Sequence, residues 1–413
     1  MPLLQVRDKV FLVILAVSPT YLSVPVVNKN SRSINKAASF YSTAATLLIN
    51  SLICFALVEL AARVFTARPD HQDVRTQLPY YEDQAWSEEY WQEFSSIKRS
   101  YRPHTIWRRS EFNGRYINVN ENGLRATPQS DCTSAKKTVF MFGGSAMWGE
   151  GAPDTKTIPS YLLQEIERKF DDSFCVINFA ESAWTSTQSI IALIAEIQKE
   201  NVPDLVIFYD GVNDANVVLT SGKRFTHANL SEFATRLEGT TVPLHTQLMR
   251  SSQVSRLLYR YVQGKKLDSG QPALVFDKDA ATLNEYIATT YVQNHQIVDA
   301  LAEQYDFDYA FFWQPVIGYG KKVLTPDEDA MLNDANAIRV KLNDQTYDRM
   351  QFIHSAYDAI APVLEPLEHV YNLSHLFDDQ KKSMYIDFVH VTPEANQMVA
   401  AEMFSRVQSQ LQN

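Results

Sequence analysis

From residue 138 onward the chain alternates short, unbroken apolar runs with longer amphipathic ones. TVFMF (138–142), CVINFA (175–180), DLVIFY (204–209), FDYAFFW (307–313) and HVYNL (369–373) read as strands. Apolar positions recur at helical spacing over 157–170, 186–200, 281–304 and 349–365. A last helix opens at Thr392-Pro393, with Thr392 as N-cap and Pro393 as the first helical residue. Strands apolar on both faces and separated by helices predict a parallel sheet covered on both sides. Ligands of such sheets bind beyond the carboxyl ends of the strands.

Two stretches break the alternation. Residues 219–280 are polar and read as an insertion near the site, a candidate lid. Residues 317–345 read as a second loop. Upstream, 66–100 carry Trp86, Tyr90, Trp91 and Phe94 at roughly helical spacing. They form either an amphipathic helix leaving a membrane or a segment packed on the main domain. In 105–127, Asn113-Gly114 and Asn122-Gly123 are turn signals between alternating strands, which predicts a small β-rich extension.

The N-terminus has a different pattern. Residues 41–65 hold an apolar stretch, with no charge between Ala44 and Val58 and with Glu59 and Arg63 near its end. About 20 apolar residues cross a bilayer core, so this stretch is a transmembrane candidate; the alternative is a buried helix. Val10 to Val27 is a second apolar run, interrupted by Pro19 and Pro25. Between the two lie Lys29, Arg32 and Lys36 with no acid. The positive-inside rule puts that loop in the cytoplasm and the large domain outside, periplasmic or at the cell surface. The expected organisation is therefore an anchor over 1–65 with one or two spans, a linker and β-rich extension over 66–130, and a catalytic domain over 131–413.

Composition narrows the chemistry. The chain has 413 residues, 45% hydrophobic and 21% charged, enough for a sizeable core. Its formal net charge of -10 argues against a nucleic-acid partner. Three cysteines, without a CxxC pair or an HExxH motif, predict neither a disulfide scaffold nor a zinc site. Cys132 and Cys175 flank neighbouring strands, so they are either a disulfide or two free thiols; Cys54 is expected to pack within the apolar helix.

The strand ends carry the candidate chemistry. The first strand runs into Gly143-Gly144-Ser145, the third into Gly211-Val212-Asn213-Asp214, and Asp387-Phe388-Val389-His390 precedes the last helix. A serine hydroxyl needs an adjacent base, and a histidine oriented by a carboxylate is the usual one at neutral pH. Ser145, His390 and Asp387 supply that set. An oxyanion needs preorganised donors, and the Asn213 amide with the N–H groups of Ser145 and Ala180 offers three. A phosphate-cradling loop is a poor alternative, because neither GxGxxG nor GxxxxGK[ST] occurs.

These blocks resemble the SGNH/GDSL hydrolases. GGSAMWG looks like the family's serine block, with Gly144 where an Asp is usual. GVNDAN looks like the G-x-N-D block, and DFVHVTPEAN like the D-x-x-H block. Asn178-Phe179-Ala180 sits where the family has N-x-G, and Ala keeps the required backbone N–H. FNGRYINVNENGLRAT is similar to the lead-in of a membrane-tethered subset. The resemblance covers roughly 138–400. It implies a three-layer α/β/α sandwich around a parallel, flavodoxin-like five-stranded sheet, the same sheet that the alternation predicts. It also implies a serine esterase without metal or organic cofactor. The expected substrate is an acyl ester: an O-acetyl group on a glycan, or a lipid or small acyl ester. O-acyl transfer from the same residues and a catalytically degenerate binding module are the other expectations.

Overall fold

Five apolar runs become the strands β1 (Lys137–Gly143), β2 (Phe174–Asn178), β3 (Leu205–Asp210), β4 (Asp308–Trp313) and β5 (Val370–Asn372). They are seen in a computed structural model that describes residues 32–66, 73–170, 173–230, 233, 252–255, 257–258 and 274–412. All neighbours are parallel, in the order β2-β1-β3-β4-β5. This is the expected flavodoxin-like order. Each strand begins and ends within one or two residues of its predicted range.

Register is set by packing. Phe142, Phe208 and Phe311 are aligned across β1, β3 and β4, and their rings stack with centroids 5.4 and 4.4 Å apart. Phe179 extends the row on the β2 side at 5.0 Å from Phe142. A slip of one residue would turn every one of these rings to the other face. The row therefore keeps the carboxyl ends level, with Gly143 opposite Tyr209 and Asp210 opposite Trp313.

The helices are α1 (Arg32–Thr66), α2 (Ser87–Ser96), α3 (Ser145–Trp148), α4 (Ile158–Lys169), α5 (Ser186–Ile197), α6 (Val212–Ser221), α7 (Ala280–Tyr305), α8 (Pro326–Ala335), α9 (Arg349–Leu364) and α10 (Pro393–Val407). α4 packs on α10, and α7 packs on α5, α6 and α9. These two groups cover the sheet and complete the sandwich. Side chains cap the starts: Thr392 Oγ1 accepts from the Ala395 N–H, and Thr185 forms a capping box with Gln188.

α1 and residues 252–254 form one unit, and the rest of the described chain forms another. Ser39–Val64 of α1 is a 26-residue apolar stretch with none of it buried. At 1.5 Å per residue it reaches about 39 Å, longer than a hydrocarbon core of about 30 Å. Among the described residues it is the one helix long and apolar enough to cross a membrane. Cys54, expected to pack there, is exposed. The run Val10–Val27 and much of the 219–280 insertion lie outside the described residues.

Of three other segments, only 317–345 departs from its expected form. Among its described residues, the aromatic stretch of 66–100 forms short helical turns at Val74–Gln77 and Pro79–Glu82 and a longer helix over α2, with Tyr90 and Trp91 buried against the core. Residues 317–345 contain α8, started by a Thr325–Glu328 capping box, and the strand Arg339–Leu342. That strand pairs with Gln345–Asp348 and, in parallel, with Leu274–Phe276. Its four residues are too few for alternation to stand out from a loop. The extension holds two antiparallel hairpins, Arg99–Arg102 with Ile106–Arg109 and Phe112–Asn113 with Asn118–Val119.

Cys132 and Cys175 are bonded, with Cα atoms 4.7 Å apart across a sequence separation of 43. The link staples the lead-in of β1 to β2. Closing a loop of this length stabilises a fold by about 4 kcal/mol through the unfolded state. A Cys132→Ser/Cys175→Ser protein is therefore expected to unfold at clearly lower urea concentration, and an unchanged midpoint would refute this role.

Candidate active site

The level strand ends bring distant residues together. β1 runs through Gly144 into α3, whose first residue is Ser145. β3 runs through Gly211 into α6, whose second residue is Asn213. The two turns meet closely: a Cβ on Gly144 would run into Asn213 Nδ2. A side chain at 144 would have to push the Asn213 amide aside, and glycine leaves it in place.

The loop before α10 supplies the base. Asp387 Oδ1 accepts the N–H groups of Val389 (2.9 Å) and His390 (2.7 Å), which closes the D-x-x-H turn. Asp387 Oδ2 is then free to face the ring, 2.6 Å from His390 Nδ1. His390 Nε2 lies 2.6 Å from Ser145 Oγ. With Nδ1–H donated to the carboxylate, Nε2 accepts from the serine hydroxyl. The geometry thus brings Ser145, His390 and Asp387 into one hydrogen-bonded chain.

Charge reinforces this alignment. Burial pulls the His390 pKa down, but the carboxylates of Asp387 and Glu150 outweigh it and hold the imidazole above its ordinary value. Burial pushes Asp387 up, yet His390 and Arg75 hold it well below the usual carboxylate range. Glu150 behaves likewise: burial opposes, while His390, Arg75 and Arg109 bring it below its ordinary value.

Arg75 and Glu150 were not among the sequence candidates. Arg75 Nη1 donates to Asp387 Oδ2 (3.0 Å) and to Glu150 Oε1 (2.9 Å). Its guanidinium is held by Asp73 and lies 4.2 Å over the Trp91 ring. Glu150 had a legible signal, as the single charged residue between Thr138 and Pro153. Arg75 had none, because it falls in a segment that reads as linker. Arg125 completes the turn after α3: it pairs with Asp154 at 2.8 Å and donates to the carbonyls of Trp148, Gly149 and Ala152.

The oxyanion donors divide. Asn213 Nδ2 donates one hydrogen to the Trp184 carbonyl at 2.8 Å, which leaves the other. The Ser145 N–H donates to no described residue. The Ala180 N–H is directed elsewhere: it donates to Asn178 Oδ1 at 3.1 Å, and Ala180 is fully buried. Three residues later, Ala183 takes a left-handed φ of 63°, is half-buried, and has an N–H that no described residue accepts. An N-x-G match in sequence pointed to position 180, where the N–H is already engaged by Asn178. Beneath the donors, Asp214 accepts from Ser186 Oγ at 2.6 Å, and burial pushes its carboxyl up to about 6. Among the described residues no group of three or more His, Cys, Asp or Glu is placed to hold a metal ion.

A methyl group at position 144 should displace the Asn213 amide and leave the fold standing. Gly144→Ala is expected to lower kcat/KM on p-nitrophenyl acetate by about 100-fold, the scale of one lost oxyanion donor. Undiminished kinetics in the folded variant would contradict the close approach.

No protein-family model matches the chain, and no curated protein matches it. Solved structures do. The chain is similar to the acetyl xylan esterase AlAXEase, at 14% identity and TM-score 0.35 over 65% of this chain and 99% of that one. It is similar to the psychrotrophic esterase EstA from Pseudoalteromonas sp. (12%, 0.32, 67% and 100%). It is also similar to the acetylxylan esterase Axe2 from Geobacillus stearothermophilus (10%, 0.32, 66% and 95%). At TM-scores of this size the likenesses carry no weight for chemistry, which rests on the site's own geometry.

Proposed function

We propose that the chain is a serine ester hydrolase of SGNH type. The supporting observation is the unbroken run of two 2.6 Å contacts from Ser145 Oγ through His390 to Asp387. Ser145 Oγ attacks the ester carbonyl while His390 Nε2 takes its proton. Asp387 orients the ring and stabilises the imidazolium that forms. The carbonyl oxygen, now an oxyanion, is held by the N–H groups of Ser145 and Ala183 and by the free hydrogen of Asn213 Nδ2. Ala183 takes the place given to Ala180 in the sequence reading, whose N–H is engaged. The imidazolium returns the proton to the departing alcohol. Water then loses a proton to Nε2 and attacks the acyl carbon, and the imidazolium returns that proton to Ser145 Oγ as the acid leaves.

The substrate we propose is a small O-acyl ester, an O-acetyl group on a surface glycan. Ser145 is only 7% exposed and His390 9%, which favours a small acyl group over a bulky one. The proposed setting is a membrane-anchored domain on the extracytoplasmic side. The apolar α1, the basic stretch before it and the Cys132–Cys175 bond support that setting.

Ser145→Ala and His390→Ala should each lower kcat on p-nitrophenyl acetate by about 10⁴-fold or more, as removing members of such a triad does. A fluorophosphonate probe should label the native protein at Ser145. Equal rates for native and Ser145→Ala protein would sink the assignment. The base acts only when neutral, and its pKa is raised. kcat/KM should therefore fall as pH drops through a midpoint above the ordinary histidine value of about 6.5. A pH–rate profile with its acid limb well below that value would contradict this charge setting.

A further inference from the structure

His390 has a carboxylate on each side. Asp387 lies at Nδ1, and Glu150 Oε2 lies 3.6 Å from Nε2. Glu150 is built into the nucleophile's own turn, because its N–H donates to the Ser145 carbonyl at 3.0 Å. Its side chain is fixed twice more. Oε1 accepts from Arg75 at 2.9 Å and Oε2 from Ser182 Oγ at 3.3 Å. Ser182 Oγ in turn accepts from Arg109 Nη1 at 2.7 Å. Two carboxylates around one buried imidazole would repel each other. Arg75 Nη1 lies between them and donates to both.

We propose that Glu150 is a positioning residue that holds the His390 imidazolium on its Nε2 side, with Arg75 as the bridge that lets Glu150 and Asp387 stand around one ring. The inference rests on the serine-hydrolase reading. When Ser145 Oγ gives its proton to Nε2, the charged ring faces Asp387 on one edge and Glu150 on the other. Arg75 limits the pull of both, so the ring can still release the proton to the leaving alcohol. The charged groups facing the pair come from three elements. They are Asp387 from the loop before α10, Arg75 and Asp73 from the turn Val74–Gln77 and its cap, and Arg109 from the strand Ile106–Arg109. The pKa directions of His390 and Glu150 agree with this geometry.

A purely structural ion pair would tie Arg75 to the domain without touching the ring's titration, and this separates the two roles. The full-length chain in detergent, with histidine labelled for NMR, reads the His390 midpoint directly. Glu150→Gln keeps the shape and a hydrogen-bond acceptor but removes the charge. It is expected to lower that midpoint by about one unit, the small end of the effect of an opposite charge at this range. The acid limb of kcat/KM should move down with it. Arg75→Gln is expected to raise the midpoint, the opposite sign. If Arg75→Gln fails to fold, Glu150→Gln carries the test alone. An unmoved midpoint in folded Glu150→Gln, or shifts of the same sign in both variants, overturns the inference. The two readings fail differently. A native Ser145 inert to a fluorophosphonate overturns both, whereas a reactive Ser145 with an unmoved midpoint overturns only the role of Glu150.

Discussion

Charges buried together must be paired or they will not stay charged, and this constraint organises the region around Ser145. Asp387 and Glu150 are only partly exposed to water, and both are held ionised beside His390. That is affordable only with a cation between them, and Arg75 is that cation.

The same pairing recurs along the extension. Arg75, Arg109 and Arg125 all lie upstream of β1, and each meets an acid of the α/β domain: Glu150, Glu181 and Asp154. Arg109 and Arg125 also lie over the ring of Trp148, at 3.7 and 4.2 Å from its centre. Removing one member of such a buried pair costs about 3–5 kcal/mol, because the other is left uncompensated. The extension is thus keyed to the turns that carry Ser145, Glu150 and Glu181, and it serves as part of the site's wall.

What the sequence made legible follows from periodicity. β1, β3 and β4 were readable because strands covered on both faces must be apolar throughout, and the long helices because their buried stripe repeats. The meeting of Ser145, His390 and Asp387 was readable because the serine follows a strand end and the D-x-x-H turn precedes the last helix at the same edge of the sheet. The proposed donor at Ala183 was not, since a left-handed φ at an alanine leaves no mark in composition, while Asn178-Phe179-Ala180 offered a nearer match to a known pattern. α8 and the strand Arg339–Leu342 were missed because their residues are polar and short in run. Arg75 was invisible for a different reason: ion pairs join residues with no fixed spacing.

The position of Arg75 in the chain has a practical consequence for trimming. It follows the apolar helix closely in sequence, yet its guanidinium belongs to the site. A soluble fragment that begins before Asp73 keeps the whole charge set. One that begins after Gln77 would retain Ser145, His390 and Asp387 in sequence, but with two carboxylates crowding the ring and nothing between them. Where the chain is cut after its apolar helix therefore decides whether the excised domain keeps the counterion of its two carboxylates or loses it.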